Sequence, residues 1–358
     1  MNKKKRIKKG LWVLAIIFIL MNVVAIFHSY KFTRFSTDEQ ERTKDPKDLS
    51  IGKKIKTLIF GVNNPRPENK AFPSTEYQTI KLKSNKEIEC WNIKVENAKG
   101  TIILFHGFSD SKSSLLGQSD VFNELGYNTF LVDFMGSGGS EGNQTTVGFR
   151  EAEQVKTCFD HLVENRVENI WLFGNSMGAV AIMKAINDYG IKPQGIIIEY
   201  PFGTMYQTVC ARFKTMNLPA FPMAGLLVFW GGVQNGFWAF SHNPVNYAKK
   251  ITCPALLFYG AEDVKVSRRE IDGIFNNLAG QKKLVVYHKA GHENYLIQYK
   301  KKWTREIGQF LLMDETTQAN QDTPPAQPEK TSSNKIILWL SVIALLAILG
   351  GVAAWRKK

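Results

Sequence analysis

Ile170-Trp171-Leu172-Phe173-Gly174-Asn175-Ser176-Met177-Gly178 is the stretch whose reading decides the fold. Four β-prone apolar residues predict a buried strand. Gly174, Ser176 and Gly178 predict a sharp turn, and Ala179 to Ala185 predict the helix that follows. Such a turn strains its central residue, so the positions around it must be small. It leaves the serine hydroxyl exposed at the carboxyl end of a sheet, beside a helix N-terminus. G-x-S-x-G alone is a weak signal, because glycine and serine also make ordinary turns. The order strand, turn, helix is what gives it meaning.

A serine hydroxyl is a poor nucleophile at neutral pH. It needs a base, an acid that orients the base, and donors for an oxyanion. The base and acid are expected later in the chain, in the order Ser, acid, His. Of the six histidines, His242, His288 and His292 follow Ser176. His292 stands in a loop after the expected strand 283–287, with Gly291 to let the chain turn, and is the candidate base. His288 directly continues that strand and is its competitor. The candidate acid is Asp263, just beyond the apolar run 255–259, with Glu262 as its neighbouring rival. The oxyanion donors are expected to be the amides of Met177, next to the nucleophile, and of Phe108, in the loop after the expected strand 101–105. His106 precedes the serine and reads as a structural residue that holds this loop.

The motifs Phe105-His106-Gly107-Phe108, Asp133 to Gly142, Gly174 to Gly178, Gly260-Ala261-Glu262-Asp263 and Gly291-His292 together resemble the α/β-hydrolases. The resemblance covers about residues 76–313. Within that superfamily the chain is most similar to the serine-aminopeptidase-like group, which includes bacterial membrane-tethered hydrolases. The resemblance implies acyl transfer to water, with no metal or organic cofactor. One loop departs from the group's pattern. Asp-x-Arg-Gly-His-Gly-x-Ser-x-Gly is usual there. Here the Arg and His positions carry Met135 and Ser137.

The rest of the chain agrees. Strands expected at 101–105, 128–132, 170–173, 195–199, 255–259 and 283–287 alternate with helices near 114–125, 149–165, 177–189, 267–279 and 295–312. That alternation predicts a doubly wound, mainly parallel α/β sheet. Residues 79–83 and 87–95 read as an antiparallel pair feeding it. The insertion 201–250 interrupts the pattern and is too apolar for a free loop. It reads as a helical cap over the site, with Phe229 and Trp230 as candidates for an apolar wall of an acyl pocket.

The net charge of +14 suggests nucleic acid at first sight. Nine of the 46 basic residues, however, lie in Lys3 to Lys9 and Arg356 to Lys358, which leaves 37 against 32 acidic. No Arg-rich, aromatic-interleaved patch exists, so no nucleic-acid partner is expected. Cys90, Cys158, Cys210 and Cys253 show no metal-ligand spacing.

Residues 1–10 form a basic tail before an apolar segment, 11–27, interrupted only by Asn22. This predicts a transmembrane signal anchor with a cytoplasmic N-terminus. A cleaved signal peptide is the rival, but no small-x-small site is clear near Val23-Val24-Ala25. Residues 335–355 predict a second transmembrane helix ending in the basic tail 356–358. Two cytoplasmic ends place the hydrolase domain, 76–313, outside the cytoplasm at the cell membrane. Residues 28–75 read as a stalk and 314–334 as a Pro-containing linker. The expected activity is hydrolysis of a carboxylic ester in a small acyl-containing, lipid-like substrate. A peptidase or thioesterase on the same residues is the alternative. A partner-binding member of the fold without catalysis is the alternative of another class.

Overall fold

The structure, a computed structural model, describes residues 3–37, 41–43 and 49–322. Its centre is an eight-stranded sheet in the order β1-β2-β4-β3-β5-β6-β7-β8. The strands are β1 (Gln78–Lys83), β2 (Glu87–Ile93), β3 (Thr101–Phe105), β4 (Asn128–Val132), β5 (Ile170–Asn175), β6 (Gly195–Glu199), β7 (Ala255–Gly260) and β8 (Lys282–Tyr287). β2 runs antiparallel to β1 and β4, and all other pairs are parallel.

The central strands are buried on both faces, so they read as unbroken apolar runs. Alternate side chains serve opposite layers. Ile103, Phe105, Leu172, Ile198 and Leu257 pack with α4 (Glu151–Glu164) and α5 (Met177–Tyr189). On the other face, Phe173 and Phe258 meet Phe122 of α3 (Leu116–Glu124) and Trp303 of α10 (Tyr295–Asp322), with ring centroids 5.6 to 6.4 Å apart. The register pairs Phe105 with Gly174, Asn175 with Glu199, and Gly260 with Tyr287. The carboxyl ends of β3, β5, β6, β7 and β8 are therefore level, and the loops that leave them meet at one edge.

The insertion between β6 and β7 is a cap built from α6 (Met205–Thr215), α7 (Met223–Asn235) and the short α8 (Pro244–Tyr247). A further helix, α9 (Arg268–Asn277), follows β7 and opens with a full capping box, Ser267 and Glu270 each bonding the other's backbone amide.

Residues 28–75, expected as a stalk, begin inside a helix. The apolar segment lies in α1 (Lys3–Thr33), and Ile7–Thr33 is long and apolar enough to cross a membrane. Its last turns and the chain beyond pack on the sheet domain. Phe35 is buried, its amide donates to the Asn143 carbonyl, and Arg34 bridges to Gln144. A short helix, α2 (Ile51–Phe60), follows. Polar composition hides this packing, because two aromatic rings and a few buried hydroxyls do the work. Arg66 shows what the segment contributes. Its guanidinium donates to the carbonyls of Gly138, Ser140 and Gly142 at 2.8, 2.5 and 3.3 Å. These belong to the loop in which the group's usual Arg and His are missing, so a cation from elsewhere in the chain now holds its backbone.

The chain divides into two compact units, Met1–Gly308 and Gln309–Lys358. In the second, helix continues to Asp322, past the expected linker start at 314. The expected transmembrane segment 335–355 and the remainder of that linker lie outside the described residues.

Candidate active site

The elbow forms because its glycines allow it. A Cβ on Gly178 would fall 2.2 Å from the Phe105 carbonyl oxygen, and one on Gly174 would fall 2.6 Å from the Gly178 carbonyl carbon. Without side chains there, α5 can start hard against the ends of β3 and β5. Ser176 itself takes φ +47° and ψ −109°, a strained conformation for a residue with a side chain. Its amide is held by the Glu199 carbonyl at 2.9 Å.

The loops after β5, β7 and β8 bring three side chains into line. His292 Nε2 lies 3.2 Å from Ser176 Oγ, and His292 Nδ1 lies 2.7 Å from Asp263 Oδ2. A carboxylate only accepts, so Nδ1 carries the proton and Nε2 is left free to accept one. Asp263 is buried and accepts two backbone bonds on Oδ1, from Lys265 at 2.7 Å and Val266 at 2.9 Å. Those bonds fix which way the carboxylate faces. Glu262 and His288, the rivals, are both exposed. His242 is buried in the cap junction, where Nε2 meets the Val147 carbonyl at 3.0 Å and Nδ1 the Tyr247 hydroxyl at 3.1 Å. Burial pushes its imidazole down to about 4, so it is neutral.

His106 has the structural part expected of it. Its Nδ1–H donates to the Gly107 carbonyl at 2.8 Å, and Nε2 accepts the Phe134 amide at 3.1 Å. The loop carrying Phe108 is thereby tied to the loop after β4. Phe108 lines the same cavity as Ser176. Met177 opens α5, where an amide has no partner within the helix.

Next to Phe134 stands a buried polar pair. Asp133 bonds the Lys112 ammonium and also accepts the Lys112 and Gly139 amides at 2.7 and 2.9 Å. Burial alone would raise the Asp133 carboxyl. The Lys112 charge, helped by His106 and the hydrogen bonds, outweighs it and holds the group below the usual carboxylate range.

The residues missed in the sequence are those behind and around the histidine. Tyr200, at φ +38°, lays its ring 4.5 Å from the His292 ring. Glu199 is fully buried, and Trp303 Nε1 donates to its Oε1 at 2.6 Å. Burial pushes its carboxyl up to about 8, against the lowering effect of that bond. The one available signal is the pair Glu199-Tyr200 at the end of an otherwise apolar strand.

A cavity of about 560 Å³ opens beside Ser176 and His292. From the cap it is lined by Met205, Val209, Phe213, Leu227 and Val228. Phe229 and Trp230, the sequence candidates for this wall, are absent from it. Phe229 is exposed, and the Trp230 indole donates to Asn22 Oδ1 of α1 at 2.9 Å. One helical turn holds both pairs, and the direction of the turn gives the cavity to Leu227 and Val228.

Sheet order, cap position and elbow together are those of the α/β-hydrolase fold. Residues 96–235 match the model of the family described as serine aminopeptidase, S33. The chain is distantly similar to named relatives. It is 23% identical over 230 residues to the Bacillus subtilis uncharacterized protein YqkD, covering 63% of this chain and 75% of that one. It is 23% identical over 220 residues to the Danio rerio lysophosphatidylserine lipase ABHD12, covering 57% of this chain and 54% of that protein's length. Among solved structures, the Pyrococcus furiosus esterase Pf2001 aligns with a TM-score of 0.58 at 22% identity, covering 70% of this chain and 99% of that one.

Proposed function

We propose that this protein is a membrane-tethered serine hydrolase that cleaves the carboxylic ester of a lipid-like acyl substrate. The observation that carries the reading is the hydrogen-bonded line Ser176–His292–Asp263 at the edge of a largely apolar cavity. In this mechanism Ser176 Oγ attacks the ester carbonyl while His292 Nε2 takes its proton. Asp263 keeps Nδ1 protonated and stabilises the imidazolium. The amides of Phe108 and Met177 receive the oxyanion. His292 returns the proton to the leaving alcohol, and water then releases the acyl group by the same steps in reverse order.

The membrane part of the reading draws on α1 and on its basic N-terminal flank, with the apolar segment 335–355 as a second tether. Both termini are then cytoplasmic and the domain lies outside. Support for an ester over an amide comes from the apolar lining and from the esterase and lipase relatives. The family match favours one second reading, a serine peptidase.

The test is labelling of the full chain by an organophosphonate. The parent is expected to label and to hydrolyse short acyl esters, and Ser176→Ala to do neither while remaining folded. Turnover of a good ester by purified Ser176→Ala would sink the assignment. Better turnover of aminoacyl amides than of esters would favour the peptidase. Protease added outside sealed cells should digest the domain and spare a tag on either end.

A further inference from the structure

α1 does more than reach the domain. From Met21 onward one of its faces is covered, and along it stand small residues at helical spacing, Ala25, Ser29 and Thr33, all buried. They face α7, whose Gly231 would place a Cβ 3.8 Å from that of Ser29. Small residues let two helix backbones approach closely, as they do inside membranes. Polar groups along the seam are matched. Trp230 donates to Asn22, Gln234 to the Ile26 carbonyl at 2.9 Å, and Arg34 to Asn235 Oδ1 at 2.7 Å. The order of these bonds makes the two helices run in the same direction.

Depth follows from that order. Asn22 lies five residues before Phe27, where the apolar run ends, which is about 8 Å along a helix. An asparagine there would be costly in hydrocarbon without partners. It has them in Trp230 and in the Phe18 carbonyl, the latter at 2.8 Å. The residues of α7 before Trp230 lie as deep or deeper, and Met223 to Phe229 carry no polar side chain. The outer side of this part of the cap bears Phe221, Phe229 and Val233, all exposed.

The cavity lies between these same helices. Ser29, Phe32 and Thr33 of α1 line it together with Leu227, Val228 and Gly231 of α7. Phe32 also stacks on Phe108 at 4.6 Å and 8°, so the end of α1 braces the loop assigned to the oxyanion.

We propose that α7 lies in the bilayer beside the last turns of α1, and that the cavity between them admits the acyl chain of a membrane lipid ester sideways from that leaflet to Ser176. This rests on the reading of the chain as a hydrolase whose α1 crosses the membrane. The anchor is then part of the substrate site, and the substrate is membrane-resident rather than a dissolved ester.

The experiment uses the full chain in phosphatidylcholine vesicles, with Cys210→Ala and Cys253→Ala. An environment-sensitive fluorophore is attached at Gly225→Cys, an open position on α7, or at Glu96→Cys, an exposed position on the domain. Iodide quenching is expected to be lost at position 225 and kept at 96. In parallel, Phe32→Ala is expected to lower the ratio of kcat/KM for long against short acyl esters about tenfold, the equivalent of two methylenes' worth of contact. Leu14→Ala, on the exposed part of α1, should leave the ratio unchanged. Organophosphonate labelling of each variant reports that the site is folded. Iodide reaching position 225 as readily as 96 would overturn the inference and leave the hydrolase reading intact, as would an unmoved ratio in a Phe32→Ala protein that labels normally. A parent that neither labels nor cleaves short esters would sink the hydrolase reading, whatever the fluorophore reports.

Discussion

Replacing Glu199 by glutamine should make the protein more stable, and only above about pH 5. The carboxyl is fully buried at the end of β6, beside the strand that leads to Ser176. Oε1 accepts from Trp303, while Oε2 has no partner among the described residues. Burial therefore raises its pKa from an ordinary 4.5 to about 8. Between those values the folded chain keeps a proton that the unfolded chain has released. Stability must fall as pH rises through that window, by about 1.4 kcal/mol per pH unit. By pH 8 the loss is on the order of 4 kcal/mol, and above that it levels off. Glutamine matches the shape of the protonated acid, offers Trp303 the same acceptor and does not titrate. The melting temperatures of the full-length parent and Glu199→Gln in detergent micelles should coincide near pH 5. By pH 8 the variant should melt roughly 10 °C higher. A difference that does not change with pH would refute the reasoning, since it would mean that the carboxyl is ionised or solvated throughout.

Three further outcomes are expected. Asp263→Asn should lower kcat about 10⁴-fold through the wrong imidazole tautomer, and Glu262→Gln should have little effect; steady-state ester hydrolysis compares them, and the reverse ranking would reassign the acid. His242, held down to about 4 in the cap junction, should cost stability as pH falls from about 6.5 toward 4, because the unfolded chain takes up the proton first. His242→Gln should flatten that acid limb of the melting curve. Leu227→Ala should shift acyl-chain preference in kcat/KM, whereas Phe229→Ala should leave it in place, because Leu227 faces the cavity and Phe229 faces outward.

What was legible in the sequence follows from the range over which each feature is encoded. The strands around Ser176 are continuous apolar runs, and the elbow is five adjacent residues, so both are local. The meeting of Asp263 and His292 was legible because each stands in the loop that follows a strand, and a parallel sheet with level strand ends brings such loops together. Facing was not legible. Phe229 and Trp230 are the bulkiest residues of α7, but which side of a cap helix meets the cavity depends on its neighbours, and here Asn22 takes the Trp230 indole. The same holds for Arg66, whose role exists only because a loop 70 residues later needs its carbonyls held.

The reading of residues 28–75 as a stalk rests on their composition alone. Residues 28–36 look like a polar exit from a membrane helix, since Ser29, Thr33, Arg34 and Ser36 dilute Phe32 and Phe35. Their polarity is in fact what joins two helices where water is scarce. Ser29 meets Gln234 at 3.3 Å, and Thr33 and Arg34 meet Asn235. A buried seam of hydroxyls and amides has no composition that separates it from a solvated loop. The separating feature is the four-residue spacing of Ala25, Ser29 and Thr33, which means little until a partner helix supplies Gly231. An apolar cap and an apolar anchor, each read alone, suggest a lid and a tether. Joined by that seam, they line one cavity, so Ser176 and the apolar helix α1 belong to the same structural unit.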